Sequence, residues 1–295
     1  MAPLVITKFQ LVCELNDMVQ RKLVPKPNAS HQLVDVRSTK VRPNVCALAV
    51  MTKAPLAGAS KTRLTPPLTT NEAARLSACF LRDTCDNIAD VCLDGNIDGV
   101  AVYTPLGAED FFNNLLPASF GLLSQRSNSF GDRLFHAAED LISSGYDSLC
   151  LIDSDSPSLP PAFLRAAVSA LARPGDRVVL GPAKDGGYYL IGLKKAHRRL
   201  FENVEWSTSR VLAQTIARAH EIKLPAILLP PWFDVDDEAG LRQLCDELFI
   251  KNGKQPVAYQ APYTRSYLAE LLKTDIDRRI WQNVAYFDKA ASHRQ

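Results

Sequence analysis

The sequence predicts an α/β fold in which a mostly parallel sheet carries helices on both faces. Short continuous apolar runs, such as VCALAVM at 45–51, have the character of strands buried on both faces. They alternate with amphipathic helical stretches from about residue 44 to residue 250. The segments richest in Gly, Pro and charge follow the apolar runs, and ligands of such sheets bind beyond the carboxyl ends of strands.

Residues 1–43 read as an N-terminal extension, with Pro25, Pro27 and Pro43 set among basic residues and a short helix expected over 4–19. The first strand is expected at 45–51. Thr69 and Glu72 then stand at the spacing of a capping box, and Ala73, Leu76, Phe80 and Ile88 continue as one helical face. A strand at 100–103 precedes a helix at 130–144, which Gly145 stops. A strand at 149–152 and a helix at 161–171 follow. Strands at 178–180 and 188–193 flank a Gly-Gly turn, then come a helix at 207–219 and a strand at 227–229. Leu241, Leu244, Cys245, Leu248 and Phe249 give the apolar stripe of a last amphipathic helix. Residues 251–295 form a polar tail with one helix near 267–281, read as an appendage. The division is therefore an extension (1–43), a central domain (44–250) and a helical tail (251–295).

With 295 residues, 46% of them hydrophobic, the chain can bury a sizeable core. A net charge of +2 excludes a general affinity for nucleic acid or anionic membrane, so any basic site must be local. The seven cysteines are odd in number and form no CxxC pair, which points to buried free thiols in a reducing compartment. No apolar run approaches the roughly 18–20 residues of a membrane span. The N-terminus lacks a secretory apolar region and carries Glu14 and Asp17. A cytoplasmic location with no membrane partner is expected. His31, His136, His197, His220 and His293 show no ligand spacing, so no zinc site is expected. No nucleophile-elbow motif supports Ser/His/Asp hydrolysis.

Chemistry is concentrated in four loops. After the first strand, KAPLAGASKTRL (53–64) brings Lys53, Lys61 and Arg63 around Gly58, whose freedom lets backbone N–H groups approach an anion. A di- or triphosphate suits that loop, although its spacing is not that of a Walker A motif and a solvated connector would have the same composition. Asp153 and Asp155 follow the apolar strand at 149–152, where a hard cation such as Mg²⁺ finds carboxylate ligands; a turn cap before Pro157 is the alternative. Asp185, Gly186 and Gly187 would let a ligand lie against the backbone, or simply make a hairpin. In WFDVDD (232–237), Asp236 or Asp237 suits a helix N-cap, whereas Asp234 is the preferred second metal ligand.

In order along residues 45–250, KAPLAGASKTRLTPPL (53–68), QRSNSFGDRL (125–134), DSDSPSLPP (153–161), GPAKDGGYYLIGL (181–193), WSTSRVL (206–212) and PPWFDVDDEAGL (230–241) resemble an uncharacterised family of glycosyltransferase-A-like proteins. That family is associated with radical-SAM and selenium-related genes, and some members bear the name of arsenosugar-biosynthesis glycosyltransferases. It is similar to 2-phospholactate and molybdenum-cofactor guanylyltransferases, which have the nucleotide-diphospho-sugar transferase fold. The sequence departs from the family pattern at Asp153, usually Gly, at Ser158, usually Asp, and at Ser127, Asn128 and Ser129, usually glycine-rich.

The resemblance implies that Lys61 and Arg63 hold phosphates and that Asp155 holds a metal with Asp234 or Asp236. Lys61, Arg63 and Asp155 are the expected catalytic residues. Lys53, Gly58, Asp185, Gly186 and Gly187 complete the expected nucleotide site, and Mg²⁺ or Mn²⁺ is the expected cofactor. The expected partners are a nucleoside triphosphate or nucleotide-sugar and a small-molecule acceptor, with a glycosyl or nucleotidyl group transferred between them. The alternative is a nucleotide-binding protein that has kept the fold without turnover.

Overall fold

An apolar run bounded by charge at both ends becomes an inner strand of the sheet. In the computed structural model, which describes residues 31–35, 42–112, 115–127, 129–249 and 257–274, strand β2 (Arg42–Lys53) buries Cys46 through Val50. Around it lie β1 (Gln32–Leu33), β3 (Ile97–Thr104), β4 (Gly121–Ser124), β5 (Tyr146–Ile152), β6 (Val178–Pro182), β7 (Tyr188–Leu193) and β8 (Ala226–Leu228). The order is β1-β4-β3-β2-β5-β7-β6-β8. Every neighbouring pair is parallel except those that β7 makes with β5 and β6. β7 reverses because the loop at 183–187 is too short for a parallel crossover, which needs a dozen or more residues.

The helices are α1 (Thr70–Cys92), α2 (Glu109–Phe112), α3 (Phe130–Ser143), α4 (Pro161–Leu171), α5 (Val211–Glu221), α6 (Glu238–Phe249) and α7 (Pro262–Leu271). α1 starts at the expected capping box: the Thr69 hydroxyl accepts the Glu72 N–H at 3.2 Å, and the Glu72 carboxylate accepts the Thr69 N–H at 2.7 Å. Alternate residues of β2 face opposite layers. Leu48 and Val50 pack with Leu81, Cys85 and Ile88 of α1 and Phe163 of α4. Ala47 and Ala49 belong to the other core, with Leu134 and Ala138 of α3 and Ala219 of α5. A third cluster joins Leu64 and Leu68 to Phe80 of α1, Phe233, Val235, Leu241 of α6 and Leu268 of α7. That cluster presses the loop after β2 against the segment before α6.

Several elements differ from the sequence expectation. β4 was not foreseen, because four residues are too few to show a period. The extension and the domain are not separable at residue 43: β2 begins at Arg42, and Gln32–Leu33 adds a parallel edge strand on β4. Arg42 donates to Asp98 at 2.5 Å and lies over the Tyr146 ring. α5 starts at Val211 rather than 207, since Ser207 has a left-handed φ of 63° and Thr208 closes a turn onto the Glu205 carbonyl. The tail helix lies at Pro262–Leu271, and it is no appendage: Tyr267, Leu268 and Leu271 are part of the third core. The helix expected over 4–19, Cys13, Asn128 and the continuation of the tail helix beyond 274 lie outside the described residues. Cys46, Cys79, Cys85, Cys92, Cys150 and Cys245 are free thiols, as expected. Among the described residues no helix is long and apolar enough to cross a membrane.

Asp83 of α1 caps α7, accepting the Tyr263 N–H at 3.0 Å and the Thr264 N–H at 2.7 Å. Burial pushes its carboxyl up to about 7, against the pull of those donors. A carboxyl raised in the folded state lends stability that is complete below its unfolded value near 4 and is lost as pH rises towards 7. The melting temperature of Asp83→Asn, relative to the wild type, should therefore climb between pH 4 and pH 7.5. A difference that stays flat across that window would contradict this role.

Candidate functional site

The chain leaves β2 towards β3 on one side and returns to β5 on the other, so a crevice opens beyond the carboxyl ends of these two strands. Two adjoining lobes lie there, of about 370 and 260 Å³. Lys53, Lys61, Thr62 and Arg63 line the larger one; Phe130, Tyr188, Trp206, Asp153 and Asp234 line the smaller. Ser154, Asp155, Asp185 and Ser207 line both and mark the junction.

The loop after β2 is tightly wound. Gly58 takes φ 74°, and the Ala59 and Ser60 N–H groups both donate to the Leu56 carbonyl at 3.0 Å. Lys61 itself is left-handed, at φ 50° and ψ 41°, an uncommon setting for a residue with a side chain. It opens the turn Thr62–Leu64, whose Leu64 is anchored in the third core. This backbone sends the Lys61 side chain inward, where only 7% of it is exposed. Its Nζ lies 2.8 Å from each of the Val235 carbonyl, Asp155 Oδ1 and Asp236 Oδ1. Burial alone would lower the ammonium's pKa, but Asp155 and Asp236 outweigh it and hold the pKa above its ordinary value.

Lys61, expected as a phosphate ligand, here donates to the Val235 carbonyl and to Asp236 and pairs with Asp155. Asp236, expected as an alternative second metal ligand, pairs here with the Lys61 ammonium. Lys53 and Arg63 remain exposed on the wall of the larger lobe, and neither carries an ion pair among the described residues. The Lys53 ammonium reaches only the Ala59 carbonyl, at 3.4 Å.

At the end of β5 the turn is made by Asp153, not Asp155. Asp153 Oδ1 accepts the Asp155 N–H at 3.2 Å and Oδ2 accepts the Ser156 hydroxyl at 3.1 Å. Burial, then Asp155 and Asp234, push the Asp153 carboxyl well above the usual carboxylate range. The Asp155 carbonyl accepts the Val235 N–H at 3.0 Å, which ties β5 to the segment before α6. There Asp234 is pushed up to about 6, by burial first and then by Asp185 and Asp236. Asp237 is the residue that caps α6, accepting the Gly240 N–H at 2.8 Å. Among the described residues no three His, Cys, Asp or Glu side chains converge as a ligand set.

The hairpin alternative holds for the loop at 183–187. Asp185 Oδ1 accepts the Gly187 N–H at 2.8 Å. Gly186 takes φ 93°, and a Cβ there would stand 2.2 Å from the Ser209 carbonyl oxygen. The close approach that Gly186 permits is to the backbone at Ser209. The sequence reading missed the smaller lobe. Its wall comes from Phe130 at the start of α3, Tyr188 at the start of β7 and Trp206 before α5, three single aromatics with no local pattern. Of the QRSNSFGDRL stretch, Gln125 ties down the ends of β2 and β3 through the Thr52 and Val102 carbonyls, and Arg126 pairs with Asp140.

One solved structure shares this architecture over most of the chain. A protein from Desulfovibrio desulfuricans G20, provisionally described as a nucleotide-diphospho-sugar transferase, is 27% identical, with a TM-score of 0.68 over 82% of this chain and 98% of its own. The fold is of the nucleotide-diphospho-sugar transferase type. A cytidylyltransferase from Leptospira borgpetersenii serovar Hardjo-bovis is 11% identical, with a TM-score of 0.45 over 79% of this chain and 96% of its own. The family described as an uncharacterized protein conserved in bacteria (DUF2064) matches residues 87–208. No curated protein matches the chain.

Removing the Lys61 ammonium leaves Asp155 and Asp236 facing each other across the junction. Both are partly exposed, at 34% and 46% of their side chains, so water tempers the loss. Lys61→Met should cost about 1–3 kcal/mol in urea unfolding, between the values for surface and buried pairs. An unchanged unfolding midpoint would show that the contact holds nothing together.

Proposed function

We propose that the protein is a metal-assisted transferase that moves a nucleotidyl or glycosyl group from a nucleotide donor to a small acceptor. The observation that carries this reading is the two-lobed crevice at the switch between β2 and β5, with Lys53 and Arg63 exposed in one lobe and carboxylates at its junction with the other. The likeness to the Desulfovibrio protein supports the donor class.

In this reading the donor's phosphates lie in the larger lobe against Arg63 and Lys53, beside the loop that Gly58 bends. The donor's reactive atom sits at the junction near Asp155, and the acceptor enters from the smaller lobe. An acceptor hydroxyl or amine attacks the α-phosphorus of a triphosphate or the anomeric carbon of a nucleotide-sugar. The bond to pyrophosphate or nucleoside diphosphate breaks, and Arg63 and Lys53 receive the leaving group's charge. The acceptor's proton leaves with the departing phosphate. Lys61 holds Asp155 and the segment before α6 in register for these steps. A triphosphate suits the basic loop, whereas the resemblance to glycosyltransferase-A-like proteins favours a sugar.

The donor set fits a divalent cation in its chemistry. Asp155, Asp185 and Asp234 bring carboxylate oxygens to the junction and its smaller lobe, and of these only Asp155 has a Lys or Arg ion pair among the described residues. Mg²⁺ takes one or two protein carboxylates and draws its other ligands from water and substrate phosphates, so no three-residue cluster is required. Asp155 and Asp234 would hold it. When bound, the ion would add positive charge beside the donor's phosphates. Free thiols throughout the described residues accord with the cytoplasm as the compartment.

The test is a thermal-shift and calorimetric comparison of nucleoside mono-, di- and triphosphates and nucleotide-sugars, with and without Mg²⁺ or Mn²⁺. A donor should raise the melting temperature by mass action, and more so with metal. Arg63→Ala should cost a triphosphate roughly 1.5–3 kcal/mol of binding, more than it costs the monophosphate. Asp155→Asn should abolish the metal-dependent part. Equal losses for all phosphates, or none, would contradict the phosphate assignment. Nucleotide affinity with no metal dependence and no transfer would leave a binding protein on the same fold.

A further inference from the structure

The two lobes differ in charge. Lys53, Lys61 and Arg63 line the larger lobe together with Asp155, Asp185 and Asp236, while the smaller is lined by Asp153, Asp155, Asp185 and Asp234 and by no Lys, Arg or His. The nearest cations are turned to other partners. Arg133 lies over the Phe130 ring, Lys184 over Phe233, and Arg210 pairs with Glu205. Lys61, outside the smaller lobe, offsets the charge of Asp155 alone among these four.

The apolar wall of this lobe is built in place. Trp206 meets Phe130 edge-on at 5.2 Å between ring centroids and Tyr188 at 6.5 Å. Gly131 makes room for the indole: a Cβ there would stand 2.7 Å from Trp206 Nε1 and 2.9 Å from the Phe201 carbonyl oxygen. Aromatic faces beside carboxylates form the combination that holds an organic cation, since the ring quadrupole and the carboxylates both favour positive charge.

We infer that the smaller lobe takes an acceptor carrying a protonated amine on an apolar ring or chain, and rejects phosphorylated and carboxylated acceptors. This rests on the division of donor and acceptor lobes proposed above. A phosphate or carboxylate group entering here would meet the Asp185 and Asp234 carboxylates and no basic side chain. An ammonium would meet those same groups with its apolar body against Trp206. The donor's phosphates are thereby confined to the larger lobe, so the charge pattern also prevents a nucleotide from binding the wrong way round.

A matched set of probes tests the inference: tryptamine, indole-3-ethanol and indole-3-acetate share one ring and differ in charge. Binding is measured by calorimetry and ligand-observed NMR on the full chain at pH 7.5, with nucleotide titrated in parallel. Tryptamine should bind at least tenfold tighter than indole-3-acetate, with indole-3-ethanol between them. Trp206→Leu should weaken tryptamine and indole-3-ethanol together. Asp185→Asn, on an exposed turn and so sparing the fold, should narrow the preference for the cation. Indole-3-acetate binding as well as tryptamine would overturn the inference, as would failure of all three at millimolar concentration or a preference untouched by both variants. Loss of nucleotide binding alone would instead count against the transferase reading, because the probe series reads the smaller lobe directly.

Discussion

A single buried ammonium holds the crevice together. Lys61 reaches from the loop after β2 to Asp155 at the end of β5 and to Val235 and Asp236 ahead of α6. These segments are far apart in sequence, and a hydrogen bond between Val235 and the Asp155 carbonyl closes the arrangement. The strained left-handed Lys61 backbone is held from below, where Leu64, Phe80, Val235 and Leu241 share one apolar cluster. Burying a charge is costly, and here two carboxylates make the buried charge the more stable form. The arrangement sets which cations are left for a ligand: with Lys61 occupied, Arg63 and Lys53 are the ones presented to the larger lobe.

The reversed strand shapes the other half of the site. The hairpin between β6 and β7 turns at the mouth of the crevice and delivers Asp185 to the junction. Gly186 lets that hairpin rest against the backbone at Ser209, and the Leu212 N–H donates to the Gly186 carbonyl at 2.9 Å. The segment carrying Trp206 is thereby fixed beside Tyr188. A parallel crossover in place of the hairpin would have removed both the turn and the aromatic wall.

Local features were the most legible in the sequence. The Thr69–Glu72 box, the helix at 161–171, the stop at Gly145 and the Gly-Gly hairpin all rest on interactions between residues a few positions apart, so their signals are contained in short windows. The position of the crevice was also legible, because strand alternation places the charged loops at one end of the sheet. Partnership was not. Nothing near Lys61 indicates that its partners lie at Asp155 and, about 175 residues downstream, at Val235 and Asp236. The docking of α7 was equally hidden, since it depends on Asp83 in a helix 180 residues upstream. The aromatic wall was missed for the same reason: three separate elements each supply one ring.

A crystal structure with a non-hydrolysable nucleoside triphosphate analogue and Mn²⁺ addresses the central claim directly. The account predicts phosphates lying against Arg63 and Lys53 in the larger lobe, an anomalous Mn²⁺ peak beside the Asp155 carboxylate, and an empty smaller lobe lined by Trp206 and Tyr188. A nucleotide bound with its phosphates in the smaller lobe, or away from the ends of β2 and β5 altogether, would contradict it.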